Sequence, residues 1–244
     1  MFSRDFMNNW IITDHILRGT CLLCEAPGLP GRDLCAPCYA ELPISAHRCP
    51  VCALPLPGLS NTLCGHCIKT KPAFDQCVTV FDYGHPLDFL IRRFKYHQNL
   101  ACGRLLAQLF LAAVHRKNSQ FLCPPPQLIV PVPLHPQRLR QRGFNQALEL
   151  GRVLSRSLGI PLQQHIVERV LHTEPQSSMS AIKRKTNLKQ AFRVRSTLLQ
   201  QLPKQHIAIV DDVLTTGSTA NALAHSLKNH GVTQVSVWVL ARAP

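Results

Sequence analysis

Residues 206–219 read HIAIVDDVLTTGST, and the fold follows from them. The first part, HIAIVDDV, is a short apolar run that ends in two carboxylates. A run of this length, apolar at successive positions, suits a strand buried on both faces of a parallel sheet. Small hydroxyl residues and a glycine follow (LTTGST, 214–219), and then Ala220, Leu223, Ala224 and Leu227 recur at the spacing of one helical face. Gly231 stands where a C-terminal cap would close that helix. The next run, TQVSVWVL at 233–240, reads as another strand. Strand, loop, helix and strand make a crossover unit, which predicts an α/β fold with a mainly parallel sheet and flanking helices.

The junction between strand and helix carries the chemistry. A helix N-terminus offers backbone N–H groups and the positive end of the helix dipole to an anion. Gly217 lets the backbone approach that anion closely, while Thr215, Thr216, Ser218 and Thr219 add hydroxyl donors. There is no GxxxxGK[ST] pattern, so a P-loop nucleotide site is excluded, and the short cradle suits a monophosphate. Asp211 and Asp212 fall at the carboxyl end of the strand, where open α/β sheets bind ligands. As neighbours on a strand they point to opposite faces. Sugar hydroxyls or hydrated Mg²⁺ are fitting partners for them. An ordinary capped helix explains one hydroxyl, not four and a carboxylate pair.

IVDDVLTTGST, 209–219, resembles the phosphoribosyl-diphosphate signature of type I phosphoribosyltransferases. The resemblance implies that Asp211 and Asp212 meet ribose hydroxyls and that residues 215–219 hold the 5-phosphate of phosphoribosyl diphosphate, with Mg²⁺ accompanying the ligand.

Outward from this site, toward the N-terminus, four CxxC pairs occur: Cys21/Cys24, Cys35/Cys38, Cys49/Cys52 and Cys64/Cys67. Each pair sets two sulfurs on one side of a knuckle, and two knuckles complete a tetrahedral site. Eight ligands therefore make two closed zinc sites without an open position for water, and such sites are structural. Sequential pairing (first with second, third with fourth) is favoured over a cross-braced pattern. The surrounding Gly- and Pro-rich segment lacks the apolar mass to fold alone, so metal supplies its folding energy. Cys77, Cys102 and Cys123 lie outside the pattern. The expected organisation is an amphipathic helix over 1–20, a double zinc ribbon over 21–70 and a phosphoribosyltransferase-type domain over 71–244.

Between ribbon and signature lie FDYGHPLDFLIRRFKY (81–96) and VPVPLHPQRLRQRGFNQ (130–146). Taken in order with the ribbons and the signature, they resemble the ComF/GntX family over roughly residues 20–242. Arg138, Arg140 and Arg142, read as a strand-to-helix loop beside Gly143, suit a highly charged oxyanion, and the resemblance identifies them with a pyrophosphate loop. A helix is expected over 144–158. Lys183, Arg184, Lys185 and Lys189 fall in a polar, turn-prone segment that corresponds in the family to a loop closing over diphosphate.

The formal charge of +14 points to anionic partners, and eight thiolates with two zinc ions lower it to about +10. Residues 127–200 hold twelve Lys/Arg against Glu149, Glu168 and Glu174, a concentrated basic face. Three readings fit it: a transferase whose arginines bind the leaving pyrophosphate, a sensor of phosphoribosyl diphosphate, or a surface that tracks single-stranded DNA with Phe94, Tyr96 or Phe144 as stacking platforms. ComF-like members are associated with DNA uptake, so the resemblance implies DNA-uptake proteins as partners. No run reaches the roughly 18 apolar residues of a spanning helix, and Met1–Arg18 has no secretory h-region, so a cytoplasmic location is expected. The zinc module together with residues 68–100 is expected to form the hood over the pocket, and removal of residues 1–70 to leave phosphate binding intact.

Overall fold

The computed structural model describes residues 19–58, 62–116, 124–170, 191–203 and 205–244. The helix expected over 1–20 lies outside these residues but for its last two positions, and Lys183, Arg184, Lys185, Lys189 and Cys123 lie outside them altogether.

Helices α1 (Ala36–Ala40) and α2 (Gly65–Lys69) are single turns in the cysteine module. Strand β1 (Gln76–Asp82) leads through α3 (Leu87–Tyr96) and α4 (Leu100–Arg116) to β2 (Leu128–Pro131). Two helices follow, α5 (Pro136–Arg142) and α6 (Gln146–Leu158), then β3 (Val167–Arg169), β4 (Phe192–Val194) and α7 (Ser196–Gln200). The crossover unit closes the chain as β5 (His206–Leu214), α8 (Ser218–Lys228) and β6 (Gln234–Arg242).

The main sheet has the order β1-β6-β5-β2 and is parallel throughout, while β3 and β4 form a separate antiparallel pair. β5 lies inside the sheet, with Ile209 opposite Val237 on one side and Val130 on the other. Its side chains alternate between two cores. Ile207 and Ile209 join the core packed by α8, whereas Ala208 and Val210 join the core packed by α3, α4 and α6. Burial on both faces is why the strand is apolar at successive positions.

Both edges of the sheet are covered, which blocks pairing with other chains. On the β1 side the cysteine module supplies Val51 O to the Cys77 N–H (2.7 Å) and Pro43 O to the Asp82 N–H (2.9 Å). Arg48 adds an ion pair to Asp82 at 2.7 Å. On the β2 side Pro161 O accepts from the Ile129 N–H at 2.9 Å. The first ribbon is fastened to the helices instead, by Arg93 Nη1 to Leu22 O (3.3 Å) and by an Arg104–Asp33 ion pair (2.9 Å).

Three local expectations change. The arginines at 138–142 lie on α5, not on a loop, because Pro136 at its first turn and the His135 side chain start a helix that Gly143 stops at φ 77°. The helix expected from Phe144 begins at Gln146, since the Asn145 side chain accepts from the Ala147 N–H and caps it there. α8 ends at Lys228 with Asn229 as its cap, and Gly231 (φ 89°) turns the chain two residues later.

Candidate functional site

Asp211 and Asp212 occupy the last turn of β5 and diverge as strand geometry requires. Asp212 faces α3, is 5% exposed, and its Oδ2 receives the Lys95 ammonium at 2.8 Å. Burial alone would lower the pKa of Lys95, but the Asp212 carboxylate outweighs it and the net shift is upward. Asp211 faces the opposite core, and its Oδ1 accepts from the Asp212 N–H at 2.8 Å. Burial, together with the adjacent Asp212 charge, pushes the Asp211 carboxyl up to about 7. Arg169 on β3 acts on it in the other direction, and Arg169 is itself lowered by burial and by the charge of Arg138.

The loop that follows turns through Gly217 at φ 75°, a conformation glycine adopts without strain, and α8 starts there with Thr216 Oγ1 accepting from the Ser218 N–H at 3.4 Å. Thr216 Oγ1 and Ser218 Oγ lie 2.8 Å apart, and Thr215, Thr216 and Ser218 are exposed around the helix start. The hydroxyls of this loop thus gather at a helix N-terminus, directly after the acids in the chain.

The three arginines of α5 separate by helical spacing. Arg138 and Arg142 are four residues apart and share one face, while Arg140 points away into solvent. Arg138 lies close enough to Arg169 for its charge to act on that guanidinium, and Arg169 in turn is the one that feels Asp211. Arg142 donates to Gln146 Oε1 at 3.0 Å, and the buried Gln146 in turn donates to Lys95 O at 3.4 Å. A polar chain thus runs from Arg142 to Lys95 and Asp212. A cavity of about 780 Å³ adjoins this region, walled by α5, α6 and β3, with Leu139, Phe144, Asn145, Gln164 and Arg169 in its lining. Neither the acids nor residues 215–219 line it, so it lies beside the cradle.

Lys95, Arg169 and Arg242 take part in this site without having been singled out. Lys95 lies in the quoted 81–96 stretch, but a lysine on an amphipathic helix reads as solvated. Arg169 carries no spacing signal at all. Arg242 lies beyond the strand expected over 233–240; the strand runs to 242 and buries that side chain.

The eight cysteines of the CxxC pairs gather into two clusters, Cys21/Cys24/Cys35/Cys38 and Cys49/Cys52/Cys64/Cys67, with the sulfurs of each within 4.8 Å of one another. Zinc–sulfur bonds of about 2.3 Å in a tetrahedron put sulfurs roughly 3.8 Å apart. Cys24 to Cys35 and Cys52 to Cys64, each at 3.5 Å, match that spacing, and the ten described cysteines are all free thiols. The sequential pairing holds, and both clusters fit structural zinc. Cys77, outside them, is buried, and burial pushes its thiol up to about 12, so it stays neutral. Among the described residues no helix is long and apolar enough to cross a membrane.

Comparison with known proteins agrees with this division. The double zinc ribbon domain family matches residues 12–68, and the phosphoribosyl transferase domain family matches residues 145–244. Competence protein F of Haemophilus influenzae is 42% identical over 180 residues, 74% of this chain and 78% of its own length. The DNA utilization protein YhgH of Escherichia coli K12 is 37% identical over 227 residues, 92% of this chain and 97% of its own. Competence protein ComFC of Bacillus subtilis is 28% identical over 225 residues, 88% of this chain and 86% of its own. With two Cys₄ zinc sites, a parallel sheet ending in the acid pair and relatives aligned over most of their length, this chain belongs to the ComF family of double-zinc-ribbon, phosphoribosyl-transferase-domain proteins.

Proposed function

We propose that the chain binds phosphoribosyl diphosphate, or a ribose 5-phosphate group more generally, at the carboxyl end of β5, and that this binding serves DNA uptake. One observation carries the reading: an acid pair and a helix start rich in hydroxyls meet at one strand end, with Lys95 on Asp212 and the charge of Arg169 acting on Asp211. The helix start suits the 5-phosphate. Asp211 and Asp212 are the acceptors for the ribose hydroxyls, and they are also the groups that would hold Mg²⁺ with the ligand. By resemblance to the family, Arg138 and Arg142, with Lys183, Arg184, Lys185 and Lys189 in the polar segment of the sequence, are the cations proposed for a diphosphate. The groups at this site are those that binding requires, whether a partner reads the bound state or transfer to an acceptor follows. The names of the relatives, competence protein and DNA utilization protein, supply the link to DNA. A cytoplasmic location is part of the same proposal.

Calorimetric titration of zinc-loaded protein with phosphoribosyl diphosphate and Mg²⁺ tests the reading, with Asp211→Asn plus Asp212→Asn as the control. Heat in the wild type that vanishes in the variant supports it. Absence of heat at millimolar ligand would sink it.

A second reading, a single-stranded DNA surface, is favoured by Tyr96. Phe94 is fully buried and packs on the half-buried Phe144 with ring centroids 5.5 Å apart, so neither is a stacking platform. Tyr96 is 64% exposed, and the Arg142 guanidinium lies 5.6 Å from its ring centroid, an aromatic face paired with a phosphate-binding charge. Tyr96→Ala should weaken single-stranded DNA binding by about fivefold or more, and the wild-type affinity should fall steeply with salt. Unchanged affinity in the variant, or salt-independent binding, counts against a DNA face here.

A further inference from the structure

The last cysteine of the second site, Cys67, and Thr215 of the loop are 148 residues apart in sequence, yet one buried side chain touches both the knuckle and the loop. Arg242 ends β6, opposite Leu214 of β5, and is 8% exposed. Its Nε donates to Cys52 O at 3.1 Å, within the second zinc knuckle. Its Nη1 donates to Leu214 O at 3.1 Å, to Thr215 O at 2.6 Å and to Ala243 O. These acceptors are all main-chain carbonyls, and a planar guanidinium is the side chain that can hold several of them in fixed directions.

The consequence for the loop follows from peptide geometry. In a trans peptide the C=O and the N–H point to opposite sides. Holding Leu214 O and Thr215 O inward on Arg242 therefore turns the N–H groups of Thr215 and Thr216 the other way, toward the open side of the cradle. The other end of the link is set by the knuckle. Ala53 sits at φ 56°, unusual for a residue with a side chain, with its N–H on Cys49 O at 2.9 Å. A metal held by Cys49, Cys52, Cys64 and Cys67 is what would keep this turn, and hence Cys52 O, in place. Among the described residues, the first cluster is tied instead to α3 and α4, through Leu22 and Asp33.

We propose that Arg242 is a positioning residue that couples the second zinc site to the anion loop, so that metal at Cys49/Cys52/Cys64/Cys67 keeps the loop amides facing an incoming phosphate. The phosphate is the one assigned under the proposed function; the coupling of knuckle to loop stands apart from it.

The test compares full-length, zinc-loaded wild type with Arg242→Gln by amide hydrogen exchange, zinc content and titration with ribose 5-phosphate. The variant should retain two zinc ions and normal protection of α4. Its exchange at 214–219 should accelerate about tenfold, and its affinity for ribose 5-phosphate should fall by about the same factor. Arg242→Lys should restore only part of both, since an ammonium lacks the fork. Unchanged loop exchange in a folded, two-zinc variant overturns the coupling. If the wild type itself binds no ribose 5-phosphate, the proposed function fails while the exchange result still decides the coupling. Should Arg242→Gln not fold, the wild type is followed during stepwise zinc extraction, with cysteine alkylation mapped to show which site has emptied. Loop exchange that rises when the second site empties supports the coupling; loop exchange indifferent to that site refutes it.

Discussion

Replacing Asp211 by Asn should stabilise the ligand-free protein, and by an amount that grows with pH. In the unfolded chain this carboxyl ionises near its ordinary 3.8; in the fold, burial and the neighbouring Asp212 charge raise it to about 7. Between those values the folded state keeps a proton that the unfolded state has released. Stability from this group is therefore fully present below pH 3.8 and is lost as pH rises through 7. At about 1.4 kcal/mol per pKa unit the full loss is about 4 kcal/mol, of which about 2 kcal/mol falls between pH 5.5 and pH 8. That upper window is the useful one, because thiolate sites hold zinc there. Asp211→Asn removes the titration and retains an oxygen to accept from the Asp212 N–H. The gap between variant and wild type should widen by about 2 kcal/mol from pH 5.5 to pH 8, or about 4–8 °C in melting temperature for a chain of this size. Scanning calorimetry of both proteins across that range measures it. A gap that stays constant or narrows as pH rises would refute the reasoning. A stabilising substitution at an acid proposed to bind the ligand is the expected signature of a site kept strained for function.

Lys95→Met should destabilise the fold by about 3–5 kcal/mol in urea unfolding, because it strands the buried Asp212 carboxylate that Lys95 meets at 2.8 Å. Adding Asp212→Asn should recover much of that loss; a purely additive double variant would show that the two groups do not interact. Chelation should remove zinc in two phases, the Cys21/Cys24/Cys35/Cys38 site first, since Cys24 is exposed whereas the second site is buried at all four ligands. Alkylation appearing first at Cys64 or Cys67 would contradict that order. His206 is buried, its Nδ1 donating to Pro124 O at 2.9 Å and its Nε2 accepting from Ser236 Oγ at 3.1 Å. Burial holds its pKa below the ordinary 6.5, so its contribution to stability is present above pH 6.5 and is lost as pH falls through the folded value. An imidazole resonance with a midpoint at or above 6.5 would show that this histidine is not held neutral.

What could be read before the structure was what repeats or alternates. HIAIVDDV is apolar at successive positions because β5 faces two cores, and that property survives in the letters of the sequence. The CxxC pairs announce themselves by spacing, and their grouping followed chain order because each ribbon is built from adjacent knuckles. Arg138, Arg140 and Arg142 are legible as a cluster beside Gly143 but not as a helix, since the short turn that Pro136 starts carries no apolar periodicity. Helical spacing then separated Arg140 from the other two. Lys95, Arg169 and Arg242 were not legible, for a common reason. Each acts through a contact made across long sequence separation, and a single cation in a basic chain carries no periodicity. Phe94 erred in the other direction, an aromatic residue among charges that the fold spends on its core.

The ribbons and the hood can be separated by argument. The expected hood combined the zinc module with residues 68–100, and the structure divides those parts. α3 reaches the acids and sets Lys95 on Asp212, whereas the second ribbon lies along the β1 edge and reaches the loop through Arg242. Removing residues 1–70 would take away Val51 O and Pro43 O from that edge as well as Cys52 O from Arg242. An edge strand so exposed invites association, and a buried guanidinium would lose one of its acceptors. We therefore expect the truncated chain to bind ribose 5-phosphate at least about tenfold more weakly and to self-associate, contrary to the reading of the ribbon as a detachable specificity cap. Light scattering and calorimetry on the truncated protein decide the matter. A monomer with wild-type affinity for ribose 5-phosphate would mean that the ribbons are a detachable cover, and that the link through Arg242 carries no structural information to the loop.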